Sequence, residues 1–320
     1  MPENTGKSRI FYPVFFFILL FLAFLSVIPD AVRRALCLCG QSIIPSLFPF
    51  LVLSKLLTAV SPLPVLPGGR LFSRLSGLPA EGFTAFLIGA LCGFPLGAQI
   101  TADLYCMSAL SRQEAERLSF FCNNVGPAFA VGAVGTLLFG SARIGWFLYG
   151  IQMLSALLCL LLQARAVGSN SSIYVNKTLQ IPPKKRPTAK KETENSLFAL
   201  LPAALGDSAV SLLGICGAIL FFSALCALPR ALLPPSAYAL LATILEIGNG
   251  TAAAAGLPRT AGLAVSLLSL SFGGLSVFMQ TAGILRSAGL SPRSAFRGKC
   301  MQSLFSLLLF LLLFPLVRRL

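Results

Sequence analysis

Apolar residues run in long unbroken stretches along this chain, and polar residues cluster between them. Ile10–Ile28 carries no charge and follows Lys7 and Arg9, so it reads as a first membrane span rather than a cleaved leader. Arg33 and Arg34 open an amphipathic stretch that leads into Ser42–Val60, where Pro45 and Pro49 predict a kink. Ser61–Pro79 is a Pro/Gly-rich connection carrying Arg70 and Arg74. Gly82–Met107 is apolar but interrupted by Gly93-Phe94-Pro95-Leu96-Gly97. Ser111 and Glu114 have capping-box spacing at the start of a helix that reaches Cys122. There Asn123-Asn124-Val125-Gly126-Pro127 intervenes before the next apolar run. Ile144–Leu162 is a clean span with Trp146 and Tyr149 as interfacial anchors. Beyond a polar interval, apolar runs recur at Ser208–Leu228, Ser236–Ala255, Ala261–Leu285 and Met301–Val317, and Asp207 is placed to cap the first of them.

This pattern predicts an all-α, polytopic transmembrane helical bundle. It has about seven to nine apolar segments in two related halves, with glycine-broken or re-entrant helices. Residues 1–42 form an N-terminal anchor and amphipathic segment, 43–163 a first membrane repeat, 164–196 a basic cytoplasmic linker, and 197–320 a second repeat. Composition agrees: of 320 residues 56% are hydrophobic and only 11% charged, and the mean hydropathy is +0.84. A β-barrel would alternate over short strands, which these runs do not. The net charge of +15 fits Lys/Arg-rich cytoplasmic loops of a cell-membrane protein, and the linker lacks the interleaved aromatics of a nucleic-acid binder. No histidine is present, which removes Ser-His and Cys-His catalysis and the two-His zinc motifs. The nine cysteines are scattered through apolar runs and read as packed thiols, so no metal, cofactor or enzymatic activity is expected.

Sliding the chain by 180 residues places Gly93, Thr101, Ala102, Leu110, Ser111 and Ala115 on Gly273, Thr281, Ala282, Leu290, Ser291 and Ala295. Both copies read as apolar helix, glycine break, short helix and a serine able to cap a new helix. Two topologies fit. If Gly82–Met107 and Ala261–Leu285 are re-entrant hairpins, more of the Lys and Arg residues fall inside; nine full crossings instead invert the repeats. Charge favours the hairpins.

Helix breaks at membrane depth need protein or water around the freed backbone. The breaks are marked by Gly93, Pro95 and Gly97, by Gly126 and Pro127, by Gly248 and Gly250, and by Gly273 and Gly274. Polar side chains accompany each: Gln99, Thr101 and Asp103; Asn123 and Asn124; Glu246 and Asn249; Ser276 and Gln280. Such groups either bond across helices as packing or read a polar solute. As a set they are the candidate substrate site. Glu246 and Asp103 are the candidates for ion coupling, with pairing to Arg112 or Arg117 the alternative for Asp103.

Several stretches resemble the sporulation integral membrane protein YlbJ family, which carries a nucleoside-recognition or Gate domain. They are Pro45-Ser-Leu-Phe-Pro-Phe50, Gly93-Phe-Pro-Leu-Gly-Ala98, Leu110–Arg117 followed by Phe121-Cys-Asn-Asn-Val-Gly-Pro127, Gly132-Ala-Val-Gly135, Leu245-Glu-Ile-Gly-Asn-Gly250 and Ser271–Ser276 with Gln280. The chain departs from the family pattern at Asn124-Val125, where a small hydroxyl residue is commoner after the first asparagine. The resemblance implies a multi-pass cell-membrane protein linked to spore formation. It also implies recognition or translocation of a small polar, nucleoside-like solute. The rival expectation is a non-transporting assembly factor for the spore envelope. Expected partners are the lipid bilayer, the solute, and sporulation membrane proteins or a second copy of the chain, with no nucleic acid.

Overall fold

The computed structural model describes residues 4–59, 65–168, 197–313 and 315. The stretch 169–196, on which most of the expected linker falls, lies outside the described residues. Every regular element among them is helical. In chain order these are α1 (Asn4–Ala23), α2 (Ile28–Leu38), α3 (Ile44–Ala59), α4 (Gly69–Ser76), α5 (Gly82–Cys92), α6 (Leu96–Cys106), α7 (Arg112–Leu118), α8 (Ala142–Gly168), α9 (Leu197–Leu232), α10 (Pro235–Leu245), α11 (Ile247–Ala255), α12 (Arg259–Phe272), α13 (Gly274–Ser287) and α14 (Arg293–Leu312). Two wide π-helical segments, Cys39–Ile43 and Ala128–Leu138, join α2 to α3 and precede α8.

Among the described residues four runs are long and apolar enough to cross a membrane: Ala142–Arg165, Phe198–Leu232, Arg259–Ser287 and Arg293–Leu312. A fifth forms if Phe11–Ala23 and Ile28–Gln41 count as one, although they meet at 98°. The first span is therefore shorter than expected. It stops at Ala23, and the amphipathic α2 turns off with Arg33 and Arg34 exposed and Ala31 and Ala35 buried. A helix with one charged and one apolar face is stable lying along an interface rather than through it. Asp207 caps nothing: α9 runs straight through it from Leu197 to Leu232, and its carbonyl accepts the Ser211 hydroxyl at 2.9 Å.

The shorter helices are folded in pairs. α5 and α6 turn back on each other: a methyl at Gly89 would meet the Cα of Gly97 at 2.9 Å, where a straight helix would hold these positions about 12 Å apart. The fold-back expected of that segment is present there. It is not present over Ala261–Leu285, where α12 and α13 run on as one 29-residue stretch broken only at Gly273. The second hairpin is instead α10 and α11, turning at the single extended residue Glu246, with a methyl at Gly250 landing 2.7 Å from the Cα of Thr243. Gly97, Gly248 and Gly250 thus lie inside helices, and the backbone turns beside them.

The element order therefore reads hairpin, broken helix, long helix twice. α5/α6 is followed by α7, the Asn123–Pro127 break and α8; α10/α11 is followed by α12, the Gly273 break and α14. The ungapped 180-residue slide sets α5, which enters a hairpin, on α12, which runs on into α13. Ser111 starts α7 as expected: its hydroxyl accepts the Glu114 N–H, and the Glu114 carboxylate accepts the Ser111 N–H at 2.7 Å.

Candidate functional site

Both hairpin tips and both helix breaks meet. Gly93, with φ +90°, lies so close to the second break that a methyl would sit 2.8 Å from the Gly126 nitrogen. In the second half Gly274, with φ +77°, is pressed against the tip residue Glu246, a methyl there falling 3.0 Å from its Cα. Neither position tolerates a side chain, both for its positive φ and for the approaching backbone. The halves also touch crosswise, since a methyl at Gly273 would meet the Phe94 ring at 3.2 Å.

Where these four features converge there is a cavity of about 500 Å³, within the usual range for small-molecule sites. Gly93 and Phe94, Val125 and Gly126, Glu246 to Gly248, and Ser276, Val277 and Gln280 all contribute to its wall. α2, α3 and α9 close it with Leu38, Leu47, Ile215 and Ile219. The wall is mainly apolar. Two of its polar groups have no hydrogen-bond partner among the described residues: the buried Ser276 hydroxyl and the half-buried Gln280 amide. Glu246 is also buried in the wall, but its oxygens are engaged. They accept the N–H groups of Gly248 at 2.9 Å and Asn249 at 2.7 Å, and the Asn249 side-chain amide at 2.8 Å. It is the N-cap of α11 and faces the cavity from that position.

The other expected site residues lie elsewhere. Asn249 lines an outer cleft and joins Glu246 to Ser223, its amide donating to the Ser223 hydroxyl at 2.8 Å. Asn124 is fully buried in a seam. Its oxygen accepts from Gln152 at 3.1 Å and Gln302 at 2.9 Å, and its amide donates to the Phe121 carbonyl. Asn123 donates to Thr281 at 2.8 Å, while its own oxygen is unpartnered beside a void with room for about one water. On α6, Gln99 donates to Asp103 at 3.0 Å and Thr101 to the Gly97 carbonyl at 2.8 Å, both buried away from the cavity. Arg112 pairs with Glu116 at 3.1 Å, and Arg117 donates to the Ser76 carbonyl at 2.9 Å.

Lys299 falls between the apolar runs Ala261–Leu285 and Met301–Val317 in the sequence, yet it is 6% exposed inside the bundle. Its ammonium donates to Gln302 at 2.8 Å and lies 5.0 Å from the centroid of the Phe94 ring. The apolar run suggested a span beginning at Met301, whereas α14 begins at Arg293 and carries Lys299 inward. Gln152 and Gln302, also missed, signal themselves only as lone amides within apolar runs. Ser155, Ser306 and Ser271 extend the same seam through hydroxyl contacts of 2.8 and 2.6 Å, tying α8, α14 and α12 together. Among the described residues no group of three His, Cys, Asp or Glu is placed to hold a metal.

Fold and site together define an integral membrane protein of the all-α kind, built around paired hairpins and broken helices that enclose a cavity. The comparisons with known proteins point the same way. A curated relative, the sporulation integral membrane protein YlbJ of Bacillus subtilis (strain 168), is 32% identical over 206 residues, which is 61% of this chain and 50% of that protein. That relationship bears out the resemblance to the YlbJ family drawn from the motifs. The chain spans about half the length of this relative. No family model matches the chain, and no solved structure does.

Proposed function

We propose that the central cavity recognises a small solute and passes it across the membrane during spore formation. The relative's name supports the sporulation setting. The single observation that carries the solute reading is the pair of unpartnered polar groups, the buried Ser276 hydroxyl and the half-buried Gln280 amide, in a mainly apolar wall. A buried hydroxyl without a partner costs about 1–3 kcal/mol, which a solute hydrogen-bonded to Ser276 would recover. Phe94 and Phe129 offer flat apolar surface in the same wall. A ring with a few hydrogen-bonding edges fits this lining, and a nucleoside-like solute has that character. Asn123, Asn124, Asn249, Gln99 and Thr101 act in this reading as supports of the breaks rather than as contacts to solute. Of the two carboxylates considered for ion coupling, Glu246 lines the cavity and Asp103 does not, so coupling rests on Glu246.

The test is uptake of labelled nucleosides by the full chain in liposomes. Saturable uptake that falls at least about tenfold in Gln280→Leu, as expected for a lost polar contact, supports the proposal. Absence of uptake and of thermal stabilisation across the nucleoside panel overturns it and leaves the assembly-factor reading, which the engagement of Asn124 with Gln152 and Gln302 favours.

A further inference from the structure

A second site stands apart from the central cavity, where α2 lies across the end of α9. A cleft of about 320 Å³ opens there between Val27, Asp30 and Arg34 on one side and Ala227, Arg230 and Ala231 on the other. The two alanines keep its α9 wall low. A neighbouring cleft of about 360 Å³ shares Arg230 and is lined by Tyr238 and Asn249.

Arg34 and Arg230 are exposed, and neither has a carboxylate partner among the described residues. The one acid in the wall, Asp30, lies 3.7 Å from Arg33, whose guanidinium is not in the wall. The wall therefore carries two uncompensated guanidinium groups. Arg230 lies 6.0 Å from the centroid of the Tyr238 ring, on a helix built from the next segment.

The position of these charges decides what they meet. Arg230 is two residues from the end of the apolar run Phe198–Leu232, and Arg34 is on the amphipathic helix that turns off at 98° just past the end of the apolar run Phe11–Ala23. Two apolar runs thus end beside one cleft, and their ends are where a bilayer presents its headgroups. Guanidinium matches phosphate through paired N–H donors, and basic pockets at this depth hold anionic headgroups.

We propose that this cleft binds the phosphate of an anionic phospholipid headgroup, held between Arg34 and Arg230. The site fastens α2 to α9 at the membrane surface and is independent of what the central cavity carries.

The test uses the full chain purified in detergent. Phosphatidylglycerol retained by the protein is counted by native mass spectrometry, with phosphatidylcholine as the neutral comparison. The expected result is selective retention of phosphatidylglycerol, reduced roughly tenfold or more in the Arg34→Gln/Arg230→Gln double variant and unchanged in Arg33→Gln. An Arg34→Lys/Arg230→Lys variant, which keeps the charge, guards against misfolding and should retain most of the lipid. Equal retention in the double glutamine variant, or no preference over phosphatidylcholine, overturns the proposal. So does displacement of the lipid by millimolar inorganic phosphate, which would mark a site for free anions.

Discussion

Glu246 shows how one side chain can hold two roles. Its carboxylate accepts three N–H donors and so starts α11, and the same group faces the cavity. Replacing it with glutamine leaves one acceptor oxygen and removes the charge. We expect Glu246→Gln to lower stability by about 1–2 kcal/mol, read as a fall in melting temperature, and to abolish any proton dependence of uptake. Uptake that kept its pH gradient dependence would remove Glu246 from the coupling role. Gln302 is the counterpart in the seam. It donates to Asn124 and accepts from Lys299, so Gln302→Leu removes one of the two donors to the Asn124 oxygen and strands the Lys299 ammonium. The expected loss is about 3–5 kcal/mol, the range for breaking a buried charged contact, measured by thermal unfolding in detergent. The sequence marked Asn124 as a candidate for solute because an amide in an apolar setting is expensive unless bonded. It could not show that Gln152 and Gln302, far along the chain, are the partners.

At the scale of elements, local signals served well where the cause was local. The Ser111/Glu114 cap depends on four consecutive residues, and it is present as read. Ser111→Ala should cost about 1 kcal/mol by freeing the first N–H groups of α7, with uptake unchanged, since α7 touches no part of the cavity wall. Glycine marked the helix ends at Gly93 and Gly273, while Pro49, Pro202 and Pro229 lie inside helices. What the glycines do not encode is whether the chain then reverses or continues. Gly93 and Gly273 both have positive φ, yet one ends a helix that folds back and the other interrupts a helix that runs on. The difference lies in what packs beside each turn: α6 lies back along α5 through the Gly89–Gly97 contact, and no such close pair joins α12 to α13.

Taken as a whole, the molecule separates its buried polar groups into a closed seam and an open cavity. The seam links Asn124, Gln152, Gln302 and the serines Ser155, Ser306 and Ser271 by side-chain hydrogen bonds, with the Gln152 side-chain oxygen left unpartnered. The cavity keeps two groups unbonded. Filling it should therefore harm function and spare folding. Gly132 lines the cavity, and a methyl on it would meet nothing within 4 Å. We expect Gly132→Phe to stay within about 0.5 kcal/mol of the parent in thermal unfolding, as surface-like changes do, while uptake falls at least tenfold. A variant that unfolded would show instead that this space is packing room.

The sequence by itself determined that the chain is helical, that it lives in a membrane, where its helices break and which family it resembles. Those properties follow from run lengths, caps and turn residues, all of which act over a few neighbouring positions. Only the tertiary structure decided which breaks fold into hairpins, which amides face space and which face each other, and that Lys299 lies against Phe94. Each of these depends on groups brought together from distant parts of the chain, and no local pattern records that meeting.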